Sequence, residues 1–455
     1  MDEKELSKAL AYKAKGLHKR VLSTLQKVKV HTEKSLLLVA ETCDQLGEHQ
    51  QAIIAAKKVI NLISREKDKA ELFLFIGLCY KKQDKLLAAI SYIEKSIEID
   101  DSVLNGDAVY NLAFLYLSTL NVKRFDELSD KLIKWDKFYA GTYLMRIQSA
   151  VYHQNKSLID NRLADIEPYA HLLDSPQMAK VSTFYIDFLK FESLNRLITK
   201  YEKLNPGVTL GLEAKLAFEQ KDYEKVLELL NEDFLNDAKS AALTYLAADA
   251  HQKLKDYKQS FLLFNKASKL KQIEAKASQI VVSTTKPFEK LCEIKRCPNV
   301  FDVKQIFVKV SFITGFPRSG TTLIDNIIDT QDDILVFSET GVFIEVIRAF
   351  KETLGKRYPD DIYKLSCDDI GYLRGVYFST IENIGFDVND YNMVVEKSPH
   401  YIKHLPFIDL IFQEAKLIYM QRNPLDSCIS SFQKDFILTE ENNNLITLRS
   451  TIETY

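Results

Sequence analysis

The feature that most restricts the fold is a recurrence of small residues inside a long run of helical periodicity. Up to about residue 270 prolines and glycines are sparse, and apolar residues return at a spacing near 3.6, the period of a helix with one buried face. Within that run Ala40, Gly77 and Ala113 fall 37 and 36 residues apart, and Ala214 and Ala248 fall 34 apart. Asp222-Tyr223 and Asp256-Tyr257 repeat one inter-helix turn signal at that last spacing. A small residue at a fixed place lets the two helices of a unit cross closely. Large residues around it fill the space between units, so the chain is expected to stack helix pairs.

In Ala70–Asp101 the small Gly77 is followed by Tyr80, Ala89, Ile93 and Ser96. That alternation resembles the tetratricopeptide repeat. The resemblance implies an all-α solenoid of six or seven units over residues 1–275. The 101 residues between Ala113 and Ala214 hold about two degenerate units. Unrelated antiparallel helices sharing only a bundle period are the alternative. A solenoid offers a concave surface, so a peptide or protein partner is expected on it.

Residues 276–305, with Pro287, Cys292, Cys297 and Pro298, break the pattern and read as a linker. From residue 306 to 455 the periodicity is different. Val308–Thr314 is β-rich, and Met393–Val395 and Leu417–Met420 are short apolar runs each followed by a helix-like segment. Strands alternating with helices imply a parallel α/β sheet whose ligands bind beyond the carboxyl ends of the strands.

At the first strand-to-helix junction stands Gly315-Phe316-Pro317-Arg318-Ser319-Gly320-Thr321-Thr322. Backbone N–H groups at a helix N-terminus, aided by the helix dipole, make such a loop an anion cradle. The spacing is that of a phosphate loop, but Thr321 stands where a nucleoside-triphosphate enzyme places lysine. That counts against a kinase or triphosphatase, which needs the lysine and Mg²⁺. The string Pro317-Arg318-Ser319-Gly320-Thr321-Thr322 resembles the 5′-phosphosulfate loop of the sulfotransferase superfamily. A second element follows the strand Leu417–Met420: Arg422, and Ser430 eight residues later. Sulfotransferases hold the 3′-phosphate of their donor with an arginine and a serine so spaced, and an arginine fork suits a phosphate. The combination is similar to repeat-containing bacterial and marine sulfotransferases, with distant likeness to protein-tyrosine sulfotransferases. It implies a P-loop-like α/β domain behind the solenoid, with 3′-phosphoadenosine-5′-phosphosulfate (PAPS) as co-substrate and no metal.

The acceptor would be a hydroxyl, on a protein tyrosine or a glycan. In-line transfer of a sulfuryl group needs a base for that hydroxyl and positive charge on the departing phosphate. Glu339, after the strand Ile334–Phe337, matches the acidic base of the related families; an exposed glutamate at a helix start is its bland alternative. Lys397, closing the strand that begins at Met393, would meet the leaving phosphate with Arg318, unless it is a plain surface lysine. Asp332 and Asp333 read as turn residues. His400 and His404, four apart on an expected helix, have metal-ligand spacing without a third ligand; His400 is also a rival base.

A formal net charge of −2 excludes a general nucleic-acid binder, there being no positive field to draw in a polyanion. Six cysteines without CxxC spacing read as free thiols of a reducing compartment. The start Met1–Glu5 is charged, and the strongest apolar stretch, Leu72–Tyr80, is too short to span a bilayer, so a cytoplasmic protein is expected. The family resemblance covers Val310–Phe432, and members continue well past the 3′-phosphate helix. A domain incomplete at Tyr455, with weak or no turnover, is therefore expected. A repeat scaffold with a degenerate nucleotide-binding domain is the alternative function.

Overall fold

The computed structural model describes residues 2–28, 32–99, 107–134, 140–202, 209–278, 308–439 and 441–455. Most of the expected linker, with Pro287, Cys292, Cys297 and Pro298, lies outside them. Contacts gather the chain into two compact units. One is Met1–Ser149 with Arg348–Gly355 and Asn383–Gly385; the other is Ala150–Ile347, Lys356–Glu382 and Phe386–Tyr455.

In the first unit Ala40, Gly77 and Ala113 each lie on the leading helix of a pair: Glu33–Gln45 with His49–Ile60, Glu66–Lys82 with Leu86–Ile99, and Asp107–Ser118 with Val122–Ile133. The need for a small residue is steric. A Cβ on Gly77 would stand 2.5 Å from Ile93 Cγ1 and 3.1 Å from the Ala89 carbonyl. Each pair turns through one left-handed residue, at Gly16, Gly47, Asp84 and Leu120. In the second unit the same device returns at Gln154, Leu189, Lys221 and Lys255. Among the described residues there are thus eight helix-pair turns, one more than the upper expectation. The additional pair is Asp2–Ala14 with His18–Leu25, whose second helix is too short for its periodicity to register. Asp222 and Asp256 cap the helices they precede, accepting from Lys225 N and Gln259 N. The expected partner of helix Leu210–Glu219 is broken in two, Tyr223–Leu229 and Glu232–Ala238, because Asn231 opens a new helix by accepting from Phe234 N.

The sheet of the second unit has four parallel strands in the order β2-β3-β1-β4: β1 Lys309–Gly315, β2 Ile334–Ser338, β3 Met393–Lys397 and β4 Lys416–Met420. The architecture is the expected one, a helical solenoid followed by a parallel α/β sheet. One face is sealed by aromatic rings meeting edge to face, Phe312 with Phe343 at 5.6 Å and with Tyr401 at 5.7 Å. Beyond β4, the helix Pro424–Phe432 sends Phe432 into a shared core with Tyr245, Ala248, Phe264 and Ala267 of the last helix pair. Lys271 adds an ion pair to Asp435 at 2.7 Å. Strands β2 and β4 are the outer strands, and on β4 Leu417 and Tyr419 are about half exposed.

Cys43, Cys79 and Cys428 are buried free thiols, but Cys367 is disulfide-bonded. Cys367 is exposed at the start of helix Cys367–Ile384, ahead of the first buried apolar side chains of that helix, Ile370 and Leu373. Spacing along the chain does not reveal a pairing made in space, so the reading of all six cysteines as free thiols is corrected at Cys367. No helix among the described residues is long and apolar enough to cross a membrane.

Candidate active site

The loop after β1 is shaped by two positions that tolerate only what they hold. A Cβ on Gly315 would meet the Met420 carbonyl at 2.4 Å and Ser319 Oγ at 2.8 Å, because β1 and β4 run side by side there. Gly320 has φ +104°, a conformation open to glycine, and caps helix Thr321–Ile328. Arg318 is itself left-handed at φ +69°. Its Nε donates to Ser430 Oγ at 3.1 Å, and Ser431 Oγ donates to the Pro317 carbonyl at 3.1 Å. The two motifs, far apart in the chain, are therefore joined by direct bonds. Buried Ser319 Oγ has no partner among the described residues, and the first amides of the helix have no intrahelical acceptor. A phosphate in the loop would satisfy both, so the residues fit the donor.

Lys397 ends β3, in register with Ile313 of β1 and Ser338 of β2. It is 2% exposed, which removes the surface-lysine alternative. Its Nζ lies 2.7 Å from Glu339 Oε1, 3.3 Å from Asp325 Oδ2 and 3.4 Å from Thr322 Oγ1. A lysine from a neighbouring strand thus reaches the helix start, where the loop itself carries Thr321. Glu339 sits just past β2 at φ +54°, its amide donating to the Lys397 carbonyl at 2.8 Å. Two of the three residues chosen for chemistry, Arg318 and Glu339, hold strained backbone, which structures retain where geometry matters. Arg422 is half exposed and 3.7 Å from Asp426, not in contact with Ser430; Arg318 takes that serine instead. Asp332 and Asp333 form the turn before β2, and Asp333 accepts from Asn392 N at 2.9 Å.

The histidines correct one expectation. Pro399–His404 is a 3₁₀ helix, in which residues three apart align, so His400 and His404 do not share a face. His404 Nδ1 is 2.7 Å from the Tyr358 hydroxyl, and burial pushes its pKa down to about 4. Burial lowers His400 as well, against the pull of Glu441. Among the described residues, Asp44, His49 and Cys79 in the first unit are close enough to share an ion, but Lys82 already pairs with Asp44 at 2.6 Å.

Three residues went unnoticed in the sequence. Asp325, 1% exposed, accepts from Ser338 Oγ at 2.8 Å and pairs with Lys397. Asp249, on helix Ala241–Lys253, is pushed up to about 6 by burial, with Lys434, Lys253 and Arg318 opposing. Glu396, next to Lys397 but on the other face of β3, is buried among the rings and accepts from Tyr401 Oη and Phe343 N. Burial pushes it from 4.5 to about 7. Folded protein then holds a proton that unfolded protein has lost between those values. Stability therefore falls as pH rises through about 7, by roughly 3 kcal/mol in all. Glu396→Gln, of the same shape and uncharged, is expected to flatten that decline. Urea midpoints at pH 5 and 8.5 would show it; parallel losses in both proteins would contradict it.

Residues 311–453 match the model described as "Sulfotransferase family", and residues 70–102 match a tetratricopeptide repeat. An uncharacterized protein of Aquifex aeolicus (strain VF5) is 26% identical over 131 residues, 28% of this chain and 17% of that one. Protein-tyrosine sulfotransferase 1 of Danio rerio is 29% identical over 117 residues, 25% of this chain and 32% of that one. The chain spans less than a third of either relative's length. Among solved structures, the TPR2AB-domain:pHSP90 complex of yeast Sti1 is 14% identical, covering 59% of this chain and 90% of that one at a TM-score of 0.23. The apo form of RapI is 13% identical, covering 84% and 96%, at 0.35. The sulfotransferase-family match thus lies across the loop Gly315–Thr322 and the strands around it, and the tetratricopeptide match lies in the helices Glu66–Lys82 and Leu86–Ile99.

Proposed function

We propose that the chain moves a sulfuryl group from PAPS to a hydroxyl acceptor. One observation supports this reading most: the loop Gly315–Thr322 is met at once by Ser430, through Arg318, and by Lys397, at Thr322. In this reading Pro317, Arg318, Ser319, Gly320, Thr321 and Thr322 cradle the 5′-phosphosulfate. Arg422 and Ser430 take the 3′-phosphate, Arg422 leaving Asp426 to do so. Glu339 removes the acceptor's proton as its oxygen bonds to sulfur. The sulfur–oxygen bond to the 5′-phosphate breaks, and the charge left on that phosphate is met by Lys397 and Arg318. No resident metal has a part in these steps. Residues 306–455 would be the transferase portion and 1–275 the repeats, which would hold a protein or peptide; nucleic acid has no role. The likeness to a protein-tyrosine sulfotransferase favours a peptide tyrosine as acceptor over a glycan.

Calorimetric titration with 3′-phosphoadenosine-5′-phosphate, against ATP–Mg²⁺, tests the reading. The bisphosphate is expected to bind and ATP to bind weakly. Arg318→Ala should weaken the bisphosphate by about 1.5–3 kcal/mol, the worth of a charge-assisted contact. Equal affinity in variant and wild type would overturn the assignment of the loop. The second reading, a scaffold that only binds partners, draws on the tetratricopeptide match and would stand if the bisphosphate did not bind.

A further inference from the structure

We infer that Asp325 is the positioning residue that keeps Lys397 charged and aimed at the phosphate loop while Glu339 acts as base. The inference rests on the sulfuryl-transfer reading and adds a division of labour between two carboxylates. A lysine ammonium at 2% exposure has lost its water and needs a paired negative charge. It has two, and they differ in kind. The Glu339 side chain is 58% exposed, hydrated and on the ligand edge of the sheet. Asp325 is 1% exposed, short, carried on the phosphate-loop helix and pinned by the Ser338 hydroxyl.

When Glu339 takes the acceptor's proton it becomes neutral and no longer offsets the ammonium. That is the moment at which negative charge grows on the departing phosphate and Lys397 must be fully charged. No acceptor reaches Asp325, so it takes no part in the proton transfer. Its Oδ1 has no partner among the described residues, so it can take the ammonium with both oxygens once Glu339 withdraws. Of the other charged or titratable groups nearby, the Glu396 carboxyl is on the far face of β3 and Arg318 is turned to Ser430. Asp329, one helical turn on, feels the charge of Asp325, and half-buried His400 feels that of Glu339.

The experiment is bisphosphate affinity measured by calorimetry from about pH 7 to pH 10, a range in which the ligand's phosphates are already ionised and lysine titrates. Asp325→Asn should lose affinity at a midpoint lower than that of the wild type by about one pH unit or more. Ser338→Ala, a milder change that frees Asp325, should shift it the same way by less. Glu339→Gln should abolish turnover yet move the midpoint less than Asp325→Asn does. If neither Asp325→Asn nor Ser338→Ala moves the midpoint, or if Glu339→Gln moves it most, this inference is overturned while the sulfuryl-transfer reading stands. If wild type binds no bisphosphate, both are overturned.

Discussion

Lys397→Ala is expected to be the most damaging single change in the second unit, lowering its stability by about 3–5 kcal/mol. The size follows from what the lysine leaves behind. Asp325 is 1% exposed and 3.3 Å from the ammonium, so truncation strands a buried carboxylate without its counter-charge. The contact with Glu339 adds little to this sum, since that side chain is mostly in water. If Lys397 also meets the transferring group, turnover falls about 10²- to 10³-fold in whatever protein remains folded. Urea denaturation and single-turnover assays separate the two effects. A destabilisation under about 1 kcal/mol would show that the pair is not buried as described. Lys397→Ala with Asp325→Asn should recover much of the lost stability, because no orphaned charge is left, but none of the activity.

Gly315→Ala adds one methyl group and should remove bisphosphate binding by about 100-fold or more, which is some 2.7 kcal/mol. The new carbon would stand 2.4 Å from a backbone carbonyl of β4, an atom that no side-chain rotation can move aside. Either β4 retreats from β1, weakening the pairing of Gly315 with Met420, or the loop lifts and its amides turn from the phosphate. The overpacking itself should destabilise the fold by about 1–3 kcal/mol. Gly375→Ala is the matched control: it lies inside helix Cys367–Ile384 with nothing within 4 Å of the added carbon. There alanine is expected to stabilise by up to about 1 kcal/mol, through helix propensity alone. Unimpaired binding by Gly315→Ala would mean that the loop is not held against β4 in solution.

Much of the architecture was legible because it rests on local rules. Helical period, small residues at fixed spacing and capping aspartates such as Asp222 and Asp256 act within a few residues, and a reader of the chain meets them in order. The repeat count came out one short because the first pair, Asp2–Ala14 with His18–Leu25, ends in a helix of only eight residues. Among the eight left-handed turn residues only Gly16 and Gly47 are glycines, and at Leu120, Leu189 and Lys255 the conformation is one that the residue type does not advertise.

The site divides along the same line. Its loop could be read directly, because glycine, proline, arginine and hydroxyl residues in that order at a strand–helix junction have few other uses. Lys397 and Glu339 could be chosen as strand-end residues on the ligand edge. Their partner could not. On helix Thr321–Ile328 an amphipathic reading turns Leu323 and Ile327 inward and Asp325 out, whereas Leu323 is 66% and Ile327 55% exposed and Asp325 is buried. Ile324 and Ile328 of the same helix do pack against the core, so hydrophobic burial alone does not single out one face. What decides is a lysine arriving from β3, whose desolvated charge needs a carboxylate more than the core needs a leucine. The sequence by itself determined the helix pairs, the parallel sheet and the glycine-bearing strand-to-helix loop, all products of neighbours along the chain. The tertiary structure alone decided which charges meet, because that balance is struck between strands and helices many residues apart.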